Sequence, residues 1–133
     1  MRVTRFNRGK DLIFVDGRIW GPSGRIERLR LVLDTGAALT VVVPEILDQL
    51  GYSPRDAERI TTMRSAVGEE AGYLTRVTRL SCLGFTVSDY RIHAHDLPDG
   101  WNIHGLLGLD FLNHFNYEIR SGEGRLLVER LAG

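Results

Sequence analysis

One stretch places an acidic side chain at the end of an apolar run: Leu31-Val32-Leu33-Asp34-Thr35-Gly36-Ala37-Ala38-Leu39-Thr40. A carboxylate at the tip of a buried strand is costly unless hydrogen-bond donors satisfy it. Thr35 offers a hydroxyl, and Gly36 offers a backbone N–H that no side chain obstructs. The pattern predicts a catalytic loop around Asp34; the alternative is an aspartate that only caps a turn. The motif occurs once in the chain.

Length and composition predict one domain over residues 1–133, since 133 residues with 43% apolar content suffice for a single core. The 17 basic and 17 acidic residues cancel, so the overall charge gives no reason to expect a nucleic-acid partner. A single cysteine, Cys82, excludes an intramolecular disulfide and favours a reducing compartment.

No run approaches the roughly 18 apolar residues that span a bilayer, and the N-terminal residues lack the apolar segment of a secretory signal. We therefore expect no membrane partner. The predicted location is cytoplasmic, unless the chain is a fragment of a membrane-anchored parent.

Short apolar segments separated by glycine-bearing turns indicate a mostly β fold. Residues 44–50 are predicted to form a short helix that begins at Pro44 and ends at Gly51. Residues 110–115 are predicted to form a second short helix, with Asp110 as its N-cap. A long hairpin is predicted from 60–66 and 73–80, with its tip at 67–72. The other predicted strands are 12–15 with 19–20, 26–33, 79–83, 85–95, 103–109, 117–119 and 125–128.

The sum of these elements favours a closed or sandwich-like antiparallel architecture with two short helices. It also contains a faint internal repeat. An apolar strand and a glycine precede a short helix twice, once at residues 31–36 and again at residues 105–110.

Two motifs together resemble the retropepsin-like aspartic proteases, especially their single-domain bacterial members. Asp34-Thr35-Gly36-Ala37 after an apolar strand is similar to the active-site loop of that family. Leu106-Leu107-Gly108 is similar to its second signature, two apolar residues and a glycine. The resemblance spans nearly the whole chain and implies a closed β-barrel of the retropepsin-like, or acid-protease, type.

Aspartic protease chemistry needs two carboxyl groups that share one proton, because two carboxyls held against each other cannot both ionise. The ionised member takes a proton from water, and the protonated member stabilises the peptide carbonyl oxygen. Since this chain has one such motif, the second carboxyl has to be Asp34 of another copy. We therefore expect a homodimeric aspartic endopeptidase, a hydrolase with a polypeptide substrate and no metal or other cofactor.

The resemblance implies further roles. Thr35 hydroxyls would hydrogen-bond across the two-fold axis, Gly36 and Ala37 would support the loop and contact substrate main chain, and Val67-Gly68 would lie in a flap. Ala38 stands where many viral members carry an acid, and Leu109 where they carry an arginine. These departures leave a second hypothesis open, a non-catalytic dimeric or peptide-binding module with the same fold.

A third hypothesis is a metal-dependent hydrolase, because all four histidines fall between positions 93 and 114. His93 and His95 would share one face of a strand, and three further residues could complete a site. Those residues are Asp96, His104 and His114. Their spacing matches no established zinc pattern, so we expect no metal.

Overall fold

The computed structural model describes residues 1–65, 68–98 and 100–131. These residues form ten strands, two short α-helices and a 3₁₀ turn at Pro54–Asp56. The helices are α1 (Pro44–Leu50) and α2 (Leu109–Leu112). The strands are β1 (Arg2–Arg5), β2 (Phe14–Trp20), β3 (Ile26–Leu33), β4 (Val41–Val42), β5 (Arg59–Ser65), β6 (Gly68–Cys82), β7 (Phe85–Ala94), β8 (Gly105–Leu107), β9 (Phe115–Arg120) and β10 (Arg125–Arg130).

The main sheet closes into a barrel because β2 has a partner on each side. It pairs antiparallel with β3 along its whole length and antiparallel with β6 from Gly17 to Trp20. The circuit runs β2-β3-β8-β4-β7-β6 and returns to β2, while β5 extends outward from β6. The prediction of a mostly β, closed barrel with two short helices is confirmed.

A second sheet joins the two ends of the described chain in the order β1-β10-β9. Strands β9 and β10, predicted as 117–119 and 125–128, form a hairpin with Arg120 opposite Arg125. Strand β1 pairs antiparallel with β10, from Arg2 opposite Val128 to Arg5 opposite Arg125. No residue pattern predicted β1, because its four residues carry little apolar periodicity.

The local signals of helix α1 are confirmed. Pro44 begins the helix, where its missing N–H costs nothing. Gly51 ends it in the left-handed region at φ 103°, a conformation that glycine adopts without steric cost. Ile46, Leu47 and Leu50 are buried against the barrel.

The long hairpin differs from its prediction. Strand β6 is one continuous strand that pairs with β5 as far as Ser65 opposite Gly68. Residues 68–72, predicted as the tip, are therefore strand, because pairing with β5 outweighs the turn preference of two glycines. Val67, the other predicted flap residue, lies outside the described residues.

The core contains the inward faces of both sheets. Phe111 lies at its centre, with its ring centroid 5.2 Å from that of Phe115, which in turn lies 4.8 Å from Phe85. Cys82 is a buried free thiol of this core, and burial raises its pKa to about 12, so it packs as a small apolar residue.

Helices α1 and α2 are far too short to cross a bilayer, and no other helix in the described ranges is long and apolar enough.

Two buried tyrosines provide a matched test of this core. The Tyr52 hydroxyl donates to the Trp20 carbonyl (2.6 Å) and accepts from the Thr78 N–H (2.9 Å). The Tyr73 hydroxyl has no hydrogen-bond partner among the residues the structure describes. Burial raises the pKa of Tyr73 to about 12, and the negative charge of Asp48 contributes to the rise.

We expect Tyr52→Phe to lower the free energy of unfolding by about 1–3 kcal/mol, because the Thr78 N–H loses its acceptor and the Trp20 carbonyl loses one of its donors. Tyr73→Phe should raise it by about 1 kcal/mol, because it removes a buried hydroxyl without breaking a bond. Urea denaturation of both variants measures this difference. Equal destabilisation would show that the Tyr73 hydroxyl is bonded in solution.

Candidate active site

Asp34 lies at the first position after β3, and hydrogen bonds fix both its backbone and its side chain. Its N–H donates to the Leu107 carbonyl (3.0 Å), and its carbonyl accepts from the Ala37 N–H (3.1 Å). Its Oδ1 accepts from the Gly36 N–H (3.0 Å). The carboxylate is half-buried, whereas Thr35 and Gly36 are exposed. A carboxylate held at the edge of solvent by a main-chain donor is available for acid–base chemistry.

Strand β8 brings the second predicted motif to this loop. It lies between the two strands that flank the loop, parallel to β3 and antiparallel to β4. Leu107 is opposite Leu33 and Leu106 is opposite Val32 and Val41. The parallel register therefore ends with Leu107 beside the last residue before Asp34.

Gly108 is needed because backbone crowds it from the loop side. A Cβ at this position would lie 2.5 Å from the Leu39 carbonyl oxygen and 2.9 Å from that of Ala37. The next two N–H groups, at the start of α2, donate to the loop: Leu109 to the Ala37 carbonyl (2.8 Å) and Asp110 to the Ala38 carbonyl (3.1 Å). The Asp34 loop is therefore held by close packing and hydrogen bonds from the corner between β8 and α2.

For Thr40 the sequence predicted only helix entry and core packing, but the structure places it in the candidate site. Its side chain is fully buried, and its Oγ1 donates to Asp110 Oδ1 (2.6 Å). The same oxygen accepts from the Gly108 N–H (3.1 Å). A threonine that ends the predicted catalytic loop was the available signal, but its partner lies 70 positions away.

The prediction of Asp110 as an N-cap is wrong. Gly108 occupies the N-cap of α2, and Asp110 lies in the first turn with its carboxylate on Thr40. The loop supplies a buried hydroxyl donor, so the carboxylate bonds there rather than to its own helix.

Two titratable side chains of β7 adjoin this pair. Burial raises the pKa of Tyr90, and the negative charge of Asp110 raises it further, so the phenol is neutral. Burial lowers the pKa of His93, against an opposing effect of Asp110, so its ring is neutral at pH 7. Asp110 is the acidic side chain that both of them adjoin.

The histidines are dispersed over different roles. The His104 Nδ1 accepts from the Arg30 N–H (2.8 Å), His95 is buried after β7, and His114 is exposed after α2. Within residues 1–65, 68–98 and 100–131, no three side chains of the types His, Cys, Asp and Glu are grouped to hold a metal ion.

Gly108→Ala tests the close approach at the β8–α2 corner. The added methyl group meets two carbonyl oxygens of the loop, so we expect a loss of about 1–3 kcal/mol in the free energy of unfolding. Gly122→Ala is the control, because a Cβ there meets no atom within 4 Å. Thermal unfolding compares the two, and equal stability of the variants would contradict the described packing.

Comparisons with known proteins agree with this geometry. A family model described as "gag-polyprotein putative aspartyl protease" matches residues 23–114. No curated protein matches the chain. Among solved structures, a retropepsin-like aspartic protease from Rickettsia conorii matches with 16% identity, covering 98% of this chain and 91% of the other, at a TM-score of 0.65. The chain therefore belongs to the gag-polyprotein aspartyl protease family and has the retropepsin-like fold.

Proposed function

We propose that the protein is a homodimeric aspartic endopeptidase in which Asp34 of each subunit supplies one of two catalytic carboxyls. The observation that carries this proposal is the single Asp34 loop, held at its backbone by β8 and open to solvent at its tip. One carboxyl cannot perform the paired acid–base chemistry of this family. A second copy is the source that needs no other protein.

The exposed side of the loop fits a two-fold contact. Thr35, Gly36, Ala38 and Leu39 are all exposed in the single chain, and Leu39 is an apolar side chain at 40% exposure. In an isologous contact the same patch meets itself, so two equivalent carboxylates come together at the axis. The pair then shares one proton, because the two charges cannot be held side by side.

The reaction proceeds through water without a covalent intermediate. The ionised Asp34 accepts a proton from water as its oxygen attacks the peptide carbonyl carbon. The protonated Asp34 of the other subunit donates a hydrogen bond to the carbonyl oxygen and stabilises its developing negative charge. The proton then passes to the leaving amine as the carbon–nitrogen bond breaks.

The substrate class is an extended polypeptide. An extended chain presents main-chain donors and acceptors, and the exposed backbone at Gly36 can pair with them. The hairpin of β5 and β6 would cover the bound chain, with Gly68 near its tip. Val67 is a proposed flap residue on the strength of the resemblance alone.

Asp34→Asn should abolish peptide hydrolysis while leaving the fold intact. The amide has the same size and keeps an oxygen for the Gly36 N–H, but it cannot accept the proton of water. We expect a loss of about 10²–10⁴-fold in kcat, the usual contribution of a general base. Asp16→Asn, at an exposed position on β2, is the matched control and should retain wild-type kcat.

Mixing the two proteins tests the shared site directly. When wild type is allowed to exchange subunits with an equal amount of Asp34→Asn, random pairing leaves about half as many wild-type dimers. Total activity should therefore fall by about half. Activity that stays constant on mixing, or wild type that cleaves as a monomer in sedimentation, would contradict a site made from two subunits.

The non-catalytic module remains the second candidate, because Ala38 and Leu109 remove the acid and the arginine of the viral pattern. A peptide library incubated with the protein from acidic to neutral pH separates the two. Cleavage that a pepstatin-type inhibitor stops, and that a metal chelator leaves unchanged, supports the protease. Binding of peptides without cleavage at any pH supports the module.

A further inference from the structure

The peptide group between Leu107 and Gly108 is hydrogen-bonded at both of its polar atoms. Its carbonyl oxygen accepts from the Asp34 N–H at 3.0 Å. Its N–H donates to Thr40 Oγ1 at 3.1 Å. Because a peptide group is planar and rigid, a rotation that breaks one of these bonds also misaligns the other. Thr40 is therefore coupled to the backbone of Asp34 through one rigid unit.

Thr40 can serve as acceptor for Gly108 because its own proton is already engaged. A hydroxyl has one proton, and here it points at Asp110 Oδ1 with an O–O distance of 2.6 Å. Hydroxyl-to-carboxylate bonds of about 2.5–2.7 Å are typical of an ionised acceptor. The charge of Asp110 thus fixes the rotation of a fully buried hydroxyl.

Asp110 is in turn fixed by the loop that it supports. Its N–H donates to the Ala38 carbonyl (3.1 Å), and the Leu109 N–H donates to the Ala37 carbonyl (2.8 Å). The bonds close a circuit from the Asp34 N–H through the 107–108 peptide, Thr40 and Asp110, and back to the loop. Tyr90 adjoins this circuit, with the charge of Asp110 nearby.

We propose that Thr40 and Asp110 are positioning residues for Asp34, which orient its carboxylate through the 107–108 peptide group. They are not catalytic residues, since both act through the backbone on the far side of the loop. This inference rests on the proposed function. It gives the buried Thr40 hydroxyl and the Asp110 carboxylate a role in catalysis in addition to their role in packing.

Threonine variants test the inference. Thr40→Val keeps the branched shape and removes the hydroxyl, so we expect kcat to fall by about 10- to 100-fold with KM within about twofold. Thr40→Ser restores the hydroxyl and should return kcat to within about threefold of wild type. Thr78→Val is the control, because its hydroxyl bonds the Trp20 and Gly21 carbonyls, outside the circuit. Equal kcat losses in Thr40→Val and Thr78→Val would overturn the inference.

Variants of Asp110 provide a second test that does not depend on the folding of Thr40→Val. Asp110→Asn keeps an oxygen acceptor but loses the charge, and we expect its kcat to fall by about tenfold. Because the two residues act in one circuit, Thr40→Val combined with Asp110→Asn should be little worse than Thr40→Val alone. Wild-type kcat in Asp110→Asn, or losses that multiply in the double variant, would overturn the inference.

Amide hydrogen exchange separates this inference from the proposed function, because it needs no substrate. In Thr40→Val the amides of Asp34 and Gly108 should exchange at least about tenfold faster than in wild type, and in Thr78→Val they should not. Unchanged exchange in Thr40→Val overturns the linkage even in an active protease. Faster exchange in a protein whose wild type cleaves no peptide supports the linkage and overturns the proposed function.

Discussion

The candidate site depends on one constraint of topology: strand β8 has to lie between β3 and β4, the two strands that flank the Asp34 loop. It pairs parallel with one and antiparallel with the other, so its hydrogen bonds fix both ends of the loop at once. Gly105 and Gly108 allow it to enter, since a Cβ at either position would lie within 2.5 Å of a carbonyl oxygen from the opposite strand or loop. Strand β8 is also part of the barrel circuit, so its three residues contribute both to the fold and to the site.

Local elements were predictable from the sequence because their signals lie in a few neighbouring residues. Pro44 and Gly51 delimit α1, and alternation identifies β3 and the hairpin of β9 and β10. The hairpin tip was misjudged because glycine is used in two ways: Gly72 lies in β6 at a close approach to the Ala94 carbonyl, not in a turn. The Thr40–Asp110 bond was missed because a hydroxyl and a carboxylate 70 positions apart leave no local pattern.

The polar side chains that support the Asp34 loop have different hydrogen-bond partners from the Asp34 carboxylate itself. Asp34 is half-buried, and its carboxylate accepts a hydrogen bond from the Gly36 N–H. Asp110, Tyr90 and His93 are half-buried as well, and they adjoin the fully buried Thr40; burial keeps the phenol and the imidazole neutral. A carboxylate that accepts a hydrogen bond from a buried hydroxyl costs less to keep than an isolated one.

The long strand β6 also connects the hairpin of β5 and β6 to the barrel wall. From Tyr73 onward β6 is bonded to β7, and from Arg79 it is bonded to β2 as well, so that this part is fixed in the barrel wall. Before Tyr73, within the residues that the structure describes, β6 pairs in the sheet with β5 only. The hairpin joins the barrel at Gly72, whose missing side chain lets the strand pass over the Ala94 carbonyl. A Cβ at position 72 would lie 2.3 Å from that carbonyl oxygen, so any other residue there would disturb the junction between hairpin and barrel.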